Sequence, residues 1–280
     1  MQGKTVVITG GTSGIGQVAA ETLAKMGARI VLVARSASRG GAAISRLREI
    51  APGANHSIYY GDLSRLAEIR RVAKEIAAAE TRIDVLVNNA GAMFGERQVT
   101  EDGLELTFAT NHLSYFVMTH LLSERLITSA PSRIINTSSH AHYRATIDFD
   151  NLQYDHDYKS FPAYSRSKLC NVLFTRVLAR RLAGTGVTAN SLHPGFVNTR
   201  FGDESGGAMA RIIGLMKIFA ISPQKGAETI VYLASSNEAA KSNGLYFYKC
   251  KPSQPSKLAQ DDAAADRLWQ LTGQIAGVRD

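Results

Sequence analysis

Short runs of apolar, often β-branched residues alternate along the chain with longer stretches in which apolar residues recur at helical spacing. Each short run is typical of a strand buried on both faces, and each longer one of a helix with an apolar face. Strands alternating with helices predict right-handed crossovers and a doubly wound parallel sheet of the Rossmann type, an α/β fold. The predicted strands are 4–9, 29–33, 56–61, 83–87, 133–137, 187–192 and 244–248; the predicted helices are one ending at Met26, then 37–50, 64–79, 103–128, 163–182, 208–221, 224–235 and 261–276.

Composition narrows the class of protein. The 280 residues carry a formal net charge of +8 and only two cysteines, Cys170 and Cys250, which give neither a disulfide framework nor a metal-binding spacing. No apolar run reaches the ~18 residues of a membrane span, and the first residues run directly into a strand. We expect a soluble, cytoplasmic protein, with peripheral membrane contact left open. Because the basic residues are scattered or paired along predicted helices, we expect solvated helix faces and no nucleic-acid binding.

A glycine-rich turn follows the first predicted strand and opens the first helix. In the spacing Gly-x-x-x-Gly-x-Gly, Gly10 permits a tight turn, Gly14 lets a pyrophosphate approach the backbone, and Gly16 permits close packing of helix and strand. Free N–H groups at the start of the helix attract phosphates. The turn therefore predicts a dinucleotide site, and a purely structural turn is the alternative.

The second strand ends at Arg35, where NAD-binding sheets of this kind carry an acidic residue for the ribose 2′-hydroxyl. No acidic residue occurs between Glu21 and Glu49, and an arginine suits a 2′-phosphate. NADP is therefore the expected cofactor, and Arg39 could assist. The alternative is a solvent-exposed arginine at the end of a strand.

Polar residues follow three further strands, at the sheet edge where ligands of such folds bind. Asp62 follows the third strand, Asn88-Asn89-Ala90-Gly91 the fourth and Ser138-Ser139 the fifth. Asn111 lies inside a predicted helix, where asparagine is mildly unfavourable and indicates a specific role. The stretch from 140 to 162 has no clear period, and we expect a long functional loop there.

Tyr164 and Lys168 are four residues apart in a predicted helix and therefore share one face of it. An ammonium beside a phenol favours the phenolate, so we expect the pKa of Tyr164 to fall from about 10 toward neutrality. Such a phenol can serve as an acid/base catalyst. The alternative is a surface pair without function.

Together these motifs resemble the short-chain dehydrogenase/reductase family over residues 3 to about 275. The closest likeness is to its retinol dehydrogenase-like branch, which shares the long spacing between Ser139 and Tyr164 and segments such as Asn111-His112-Leu113. Light-dependent protochlorophyllide reductase shares the Tyr-x-x-x-Lys-x-Cys-Asn pattern of 164–171. Double-bond reduction of the kind that this enzyme performs is the third hypothesis for the function, after the two given at the end of this subsection. Animal members of the branch often begin with a membrane helix, and we expect none in this chain.

The resemblance implies a mechanism. Tyr164 would be the acid/base, Lys168 would lower its pKa and bind the nicotinamide ribose, Ser139 would stabilise the substrate oxygen, and Asn111 would hold a water linking Lys168 to solvent. Ser138 is the alternative to Ser139. The implied NADP(H)-binding residues are Gly10, Thr12, Ser13, Gly14, Ile15, Gly16, Arg35, Asp62, Leu63, Asn89, Ala90, Gly91, Tyr164, Lys168, Pro194, Gly195, Val197 and Thr199, with Asn88 near the adenosine ribose.

Two of these assignments have alternatives. Asp62 could only cap the following helix, and Thr199 could only form a turn. Ser13 stands where many NADP-using members carry a lysine or arginine, which leaves Arg35 as the chief ligand of the 2′-phosphate. His112 and His193 are interpreted as packed residues, and Cys170 as a core residue.

We expect one domain over 1–280, with a cofactor half of about 1–140, a catalytic and substrate half of about 141–280, and a lid at about 200–222. The apolar run 208–221 within that lid favours a lipophilic carbonyl or alcohol substrate. The resemblance also implies a homodimer or homotetramer packed through the 103–128 and 163–182 helices. The leading hypothesis is an NADP(H)-dependent oxidoreductase, and the alternative is a dinucleotide sensor or scaffold without turnover.

Overall fold

The computed structural model describes residues 1–197 and 220–278 and places one mixed sheet at the centre of the chain. The eight strands have the order β3-β2-β1-β4-β5-β6-β7-β8, and every neighbouring pair is parallel except β7 and β8. The doubly wound sheet is thus confirmed, with one correction: its last strand is antiparallel. The strands are β1 Thr5–Thr9, β2 Arg29–Ala34, β3 Ser57–Tyr60, β4 Val85–Asn88, β5 Ser132–Thr137, β6 Val187–His193, β7 Tyr246–Tyr248 and β8 Lys251–Ser253.

Helices cover both faces of this sheet. The helices are α1 Gly14–Lys25, α2 Ala37–Ile50, α3 Leu66–Ala79, α4 Ser114–Thr128, α5 Ser160–Arg181, α6 Pro223–Ser235 and α7 Asp262–Ala276. One apolar core joins α1, α2 and α6 to one face, and the other joins α3, α4, α5 and α7 to the opposite face. Alternation along β1 shows the two faces: Val6 and Ile8 enter one core and Val7 the other, all of them fully buried.

The predicted helix 103–128 is divided in the structure. A short helix, Leu106–Phe108, leads into a π-helical segment, Ala109–Leu113, and only then into α4. The carboxylate of Glu105 caps the start by accepting hydrogen bonds from the N–H groups of Thr107 and Phe108. Such π-helical insertions often accompany functional sites, and this one contains Asn111.

Two other predictions needed correction. The predicted loop 140–162 contains a 3₁₀ turn, His140–Arg144, and its last residues already belong to α5. The last predicted strand, 244–248, is shorter and turns back into β8 through Lys249 and Cys250, both with positive φ. Consecutive left-handed residues are the geometry of a two-residue hairpin turn, which the residue types did not indicate because glycine is absent.

Helix α5 is buried almost throughout, including every residue from Ala163 to Thr175. Helix α7 contributes to this, because the Trp269 ring lies 5.7 Å from that of Phe174 and 4.9 Å from that of Phe116 on α4. Part of the helix surface that sequence reasoning assigned to a subunit interface is therefore covered within the chain, and the oligomeric state stays a prediction. Among the described helices, none combines the length and the apolar character needed to cross a bilayer.

Candidate active site

A cleft of about 840 Å³ opens at the carboxyl ends of the parallel strands. It brings together most of the residues that sequence reasoning assigned to the cofactor and to catalysis. The assigned residues on its wall are Gly10, Thr12, Ser13, Gly14, Ile15, Arg35, Asp62, Leu63, Asn89, Ala90, Gly91, Ser139, Tyr164, Lys168, Pro194, Gly195 and Val197. Thr199 and most of the predicted lid lie outside the described residues. Gly16 and Asn111 lie behind the wall.

The glycine turn, called the cradle below, packs so closely against neighbouring backbone that Gly10 and Gly16 leave no room for a side chain. Gly10 has a φ of 68° and Gly14 one of 55°, both in the left-handed region. A Cβ added at Gly10 would lie 2.8 Å from the Cα of Ala90, and one added at Gly16 would overlap the carbonyl oxygen of Gly10. The helix start is also open, since Ser13 at the N-cap makes no side-chain hydrogen bond to it. Free N–H groups at this place suit a diphosphate.

Hydrogen bonds join the glycine turn to the segment after β4. The Thr9 hydroxyl accepts hydrogen bonds from the N–H groups of Asn89 and Ala90, at 2.9 and 3.1 Å. The Asn89 amide donates back to the carbonyls of Thr9 and Gly10. Asn88 instead points into the core, where it donates to Asn136, and it does not reach the cleft. Its expected place beside the ribose is therefore wrong, because alternation along β4 sends it to the opposite side.

The far end of the cleft is basic. Arg35 follows the end of β2 and is exposed, and Arg39 lines the same end. Asp62 lies on the wall as well, and it accepts hydrogen bonds from the N–H and the hydroxyl of Ser64. Asp62 thus forms a turn with Ser64, whereas the following helix has Arg65 at its N-cap and no side-chain cap, so the capping alternative for Asp62 is wrong.

The two serines after β5 have different surroundings. The Ser138 hydroxyl donates a 2.7 Å hydrogen bond to the carbonyl of Lys168, and although Ser138 borders the cleft, its side chain is buried. Ser139 lies on the cleft wall, where its hydroxyl forms a hydrogen bond with that of Tyr164. Strand alternation thus separates the two residues as expected.

Tyr164 and Lys168 lie side by side on the first turns of α5. The Lys168 ammonium lies 5.7 Å from the centre of the Tyr164 ring and donates to the carbonyl of Thr137 at 3.2 Å. Burial raises the pKa of Tyr164 to about 12, although the hydrogen bond with Ser139 opposes this, and burial lowers the pKa of Lys168 to about 7. The expectation that the ammonium lowers the phenol pKa is therefore wrong for this arrangement. Burial disfavours both charged forms, so the lysine loses the charge that would have stabilised a phenolate.

Asn111 secures the backbone beneath the cofactor site. Its side chain accepts from the N–H of Ala92 at 2.8 Å and donates to the carbonyl of the same residue and to the Ser167 hydroxyl, both at 2.9 Å. A Cβ added at Gly91 would lie 3.1 Å from both the Asn111 side-chain oxygen and the Lys168 ammonium. The water that Asn111 was expected to hold stays a prediction.

Sequence reasoning missed several residues that support the site. Asn171 donates to the carbonyls of Asn111 and Thr137, and its position three residues after Lys168, on the same side of the helix, was an available signal. The centre of the Tyr115 ring also lies 5.7 Å from the Lys168 ammonium. No sequence signal marked Tyr115 beyond its place one turn after Asn111.

The packed histidines and the core cysteine are confirmed. His112 is fully buried between Asn171 and Thr272, and burial lowers its pKa to about 4. Cys170 is fully buried, which raises its thiol pKa to about 12. His193 packs against Tyr248 and also lines the cleft. Within 1–197 and 220–278, no group of histidine, cysteine and acidic residues could hold a metal ion.

Comparison with known proteins agrees with this geometry. The family model for short chain dehydrogenases matches residues 4–209. Human retinol dehydrogenase 13 is 41% identical over 282 residues, covering 99% of this chain and 85% of the relative. Human retinol dehydrogenase 12 is 38% identical over 279 residues, covering 100% of this chain and 88% of the relative.

Solved structures share the fold. A crystal structure of an uncharacterised protein from Mycobacterium paratuberculosis has a TM-score of 0.80 and 32% identity, covering 99% of this chain and 95% of its own. A short chain dehydrogenase from Burkholderia cenocepacia in complex with NADP has a TM-score of 0.71 and 25% identity, covering 88% of this chain and 96% of its own. The chain therefore belongs to the short-chain dehydrogenase family, and within it to the retinol dehydrogenase-like branch.

Proposed function

We propose that this oxidoreductase interconverts an alcohol with an aldehyde or ketone, using NADP(H), and that its substrate is lipophilic. One observation carries the proposal: the hydrogen-bonded hydroxyls of Ser139 and Tyr164 lie on the wall of the same cleft as the glycine turn, with Lys168 beside them. A nucleotide suits this cleft because the glycines of the cradle carry no side chain and the start of α1 leaves its N–H groups without a side-chain cap.

The residues of the chain have distinct tasks in this reaction. The dinucleotide, when bound, supplies or accepts the hydride. Tyr164 is protonated at neutral pH because its pKa is about 12, so its hydroxyl can deliver a proton to a carbonyl oxygen. Ser139 donates a hydrogen bond to the same oxygen and stabilises the charge that develops on it. Lys168, which is partly protonated near pH 7, can return a proton to the phenol side of the site.

The preference for NADP rests on charge at the far end of the cleft. Arg35 and Arg39 line the position at the end of β2, and the wall there carries no acidic residue before Asp62 among the described residues. A guanidinium pairs well with a phosphate. It cannot accept hydrogen bonds from the ribose hydroxyls, as the carboxylate of an acidic residue would. The NADP complex of the Burkholderia relative supports this choice.

The lipophilic substrate is supported by the rings at the open side of the cleft. Phe94, Phe161 and Phe196 line it, and the last two are more than a third exposed. Exposed aromatic rings beside a catalytic pair suit an apolar substrate that covers them on binding. The names of the retinol dehydrogenase relatives point to the same class.

The proposal is tested by following NADPH consumption with retinal, long alkanals, ring ketones and small hydrophilic ketones, each repeated with NADH. We expect steady turnover with NADPH, faster with the lipophilic aldehydes. Cofactor binding measured by fluorescence without consumption of any substrate would instead identify a sensor. Faster turnover of the small hydrophilic ketones would contradict the lipophilic assignment alone.

A further inference from the structure

The backbone around Ser139 is held by two histidines on opposite sides. On one side, the Ser138 N–H donates to the carbonyl of Leu192 at 2.7 Å as part of the ladder between β5 and β6. The next backbone N–H after Ser139, that of His140, has no strand partner, because β6 ends at His193. It donates instead to Nδ1 of the His193 side chain, at 3.1 Å. An imidazole nitrogen thus continues the hydrogen-bonding ladder past the end of the strand.

His142 holds the other side of the same segment. Its Nδ1 lies 2.7 Å from the carbonyl oxygen of Ser139, which can only accept, so Nδ1 carries the proton. Its Nε2 accepts a hydrogen bond from the Ser256 N–H at 3.1 Å. His142 therefore bridges the catalytic serine to the segment that follows β8, and its side chain is fully buried.

These contacts require both imidazoles to be neutral, each in one tautomer. Nδ1 of His193 must accept, which leaves the proton on Nε2, whereas His142 carries its proton on Nδ1. Protonation of either acceptor nitrogen would bring two N–H groups face to face. The surroundings favour the neutral forms: burial lowers the pKa of both, and the rings that face them are His140, Tyr143, Tyr246 and Tyr248.

We propose that His142 and His193 are positioning residues that set the placement of the Ser139 hydroxyl against Tyr164. This inference rests on the proposed function, since Ser139 is there the group that binds the substrate oxygen. The Ser139 hydroxyl itself accepts from the N–H of Ala141 at 3.2 Å, so any movement of the turn from 140 to 144 moves the hydroxyl too. The two histidines act through the serine and need not contact the substrate.

The test replaces His142 and His193, one at a time, by asparagine and by phenylalanine. Asparagine places an amide oxygen or nitrogen where Nδ1 lies, so His193→Asn can accept from His140 and His142→Asn can donate to Ser139. Phenylalanine keeps a planar ring of similar size without either group. We expect the phenylalanine variants to lower kcat on the order of tenfold to a hundredfold, with the NADPH dissociation constant unchanged within about twofold. The asparagine variants should recover most of that loss.

A double-mutant cycle separates positioning from general structure. In a Ser139→Ala background, His193→Phe and His142→Phe should cost little further activity, because the group that they position is already absent. Equal kcat values for the asparagine and phenylalanine variants, or full additivity with Ser139→Ala, would overturn the inference.

Tautomers provide a readout that is independent of turnover. Nitrogen-15 NMR of the imidazoles should show a proton on Nε2 of His193 and on Nδ1 of His142 near pH 7. The opposite tautomer at either residue would contradict the inference even in an active enzyme. The expected tautomers in a chain that consumes no cofactor with any substrate would instead contradict the proposed function and leave the hydrogen-bonding arrangement intact.

Discussion

The Lys168 ammonium lies 5.7 Å from the centre of the Tyr164 ring, and burial governs the pKa of both groups. A pair of this kind is usually considered in terms of attraction between an ammonium and a phenolate. In this chain the surrounding protein keeps the phenol protonated and partly discharges the lysine. Under the proposed mechanism, these pKa shifts favour donation of a proton to a carbonyl oxygen over removal of a proton from an alcohol.

A consequence for kinetics is that the two directions differ in their dependence on pH. Reduction uses the protonated phenol, and since its pKa is about 12 this group should not limit reduction between pH 6 and pH 9. Oxidation uses the phenolate, so its rate should rise by up to about tenfold per pH unit over the same range. Initial rates in both directions with one alcohol–aldehyde pair measure this. An oxidation rate that is already constant from pH 7 upward would contradict it.

Replacing Lys168 by methionine should stabilise the fold while it impairs catalysis. The pKa of Lys168 is about 7 in the folded chain, whereas a lysine exposed to water in the unfolded chain has a pKa of 10.5. Between these values the unfolded chain binds more protons, so stability rises with pH across that window and the lysine is most destabilising below pH 7. We expect Lys168→Met to raise the free energy of unfolding by about 2–4 kcal/mol at pH 7.

Urea unfolding at several pH values measures that gain, which should shrink as the pH approaches 10. The same variant should lose on the order of a hundredfold in kcat. A variant that is less stable than the parent at pH 7 would show that the lysine is charged and well paired inside the fold. Activity close to that of the parent would remove Lys168 from the mechanism.

Arg35 should determine the choice between the two nicotinamide cofactors. A charge-assisted hydrogen bond to a phosphate contributes about 1.5–3 kcal/mol, so Arg35→Ala should raise KM for NADPH on the order of tenfold to a hundredfold. KM for NADH should change by less than about twofold, because NADH has no 2′-phosphate. Arg39→Ala is the matched control, with a smaller expected effect. Equal changes for both cofactors would assign Arg35 to general structure.

Two glycines form a matched pair for the cradle. A Cβ at Gly16 would overlap the carbonyl oxygen of Gly10, whereas one at Gly41 on α2 would meet nothing within 4 Å. Gly16→Ala should weaken cofactor binding and lower stability, since the turn and α1 must separate. Gly41→Ala should leave binding unchanged and raise stability by about 0.5–1 kcal/mol, because alanine is the better helix former. Cofactor titration and thermal unfolding of both variants check this, and equal behaviour of the two would contradict it.

The sequence predicted the parts of the site that depend on local pattern. The order of strands and helices follows from periodicity, and the glycine turn, Arg35, Ser139 and Tyr164 follow from their places at strand ends and on one helix face. Contacts between distant segments could not be predicted in this way. Asn88 points into the core, and His142 reaches Ser256, because these details depend on how separate segments pack.

The surroundings of a side chain in the folded protein were the second feature that could not be predicted from the sequence. The spacing of Tyr164 and Lys168 indicated their proximity, and the structure places them side by side. The direction of the pKa change depends on how completely the two groups are removed from water, and spacing carries no information on that. The π-helical segment at Asn111 could not be predicted from the sequence either, because its residues fit a continuous α-helix equally well.

The central claim is that the Tyr164 hydroxyl transfers the proton in this cleft, and Tyr164→Phe removes that single oxygen. We predict that steady-state NADPH consumption with the best lipophilic aldehyde falls by at least about a thousandfold, while the NADPH dissociation constant changes by less than about threefold. Retained turnover in the phenylalanine variant would contradict the account.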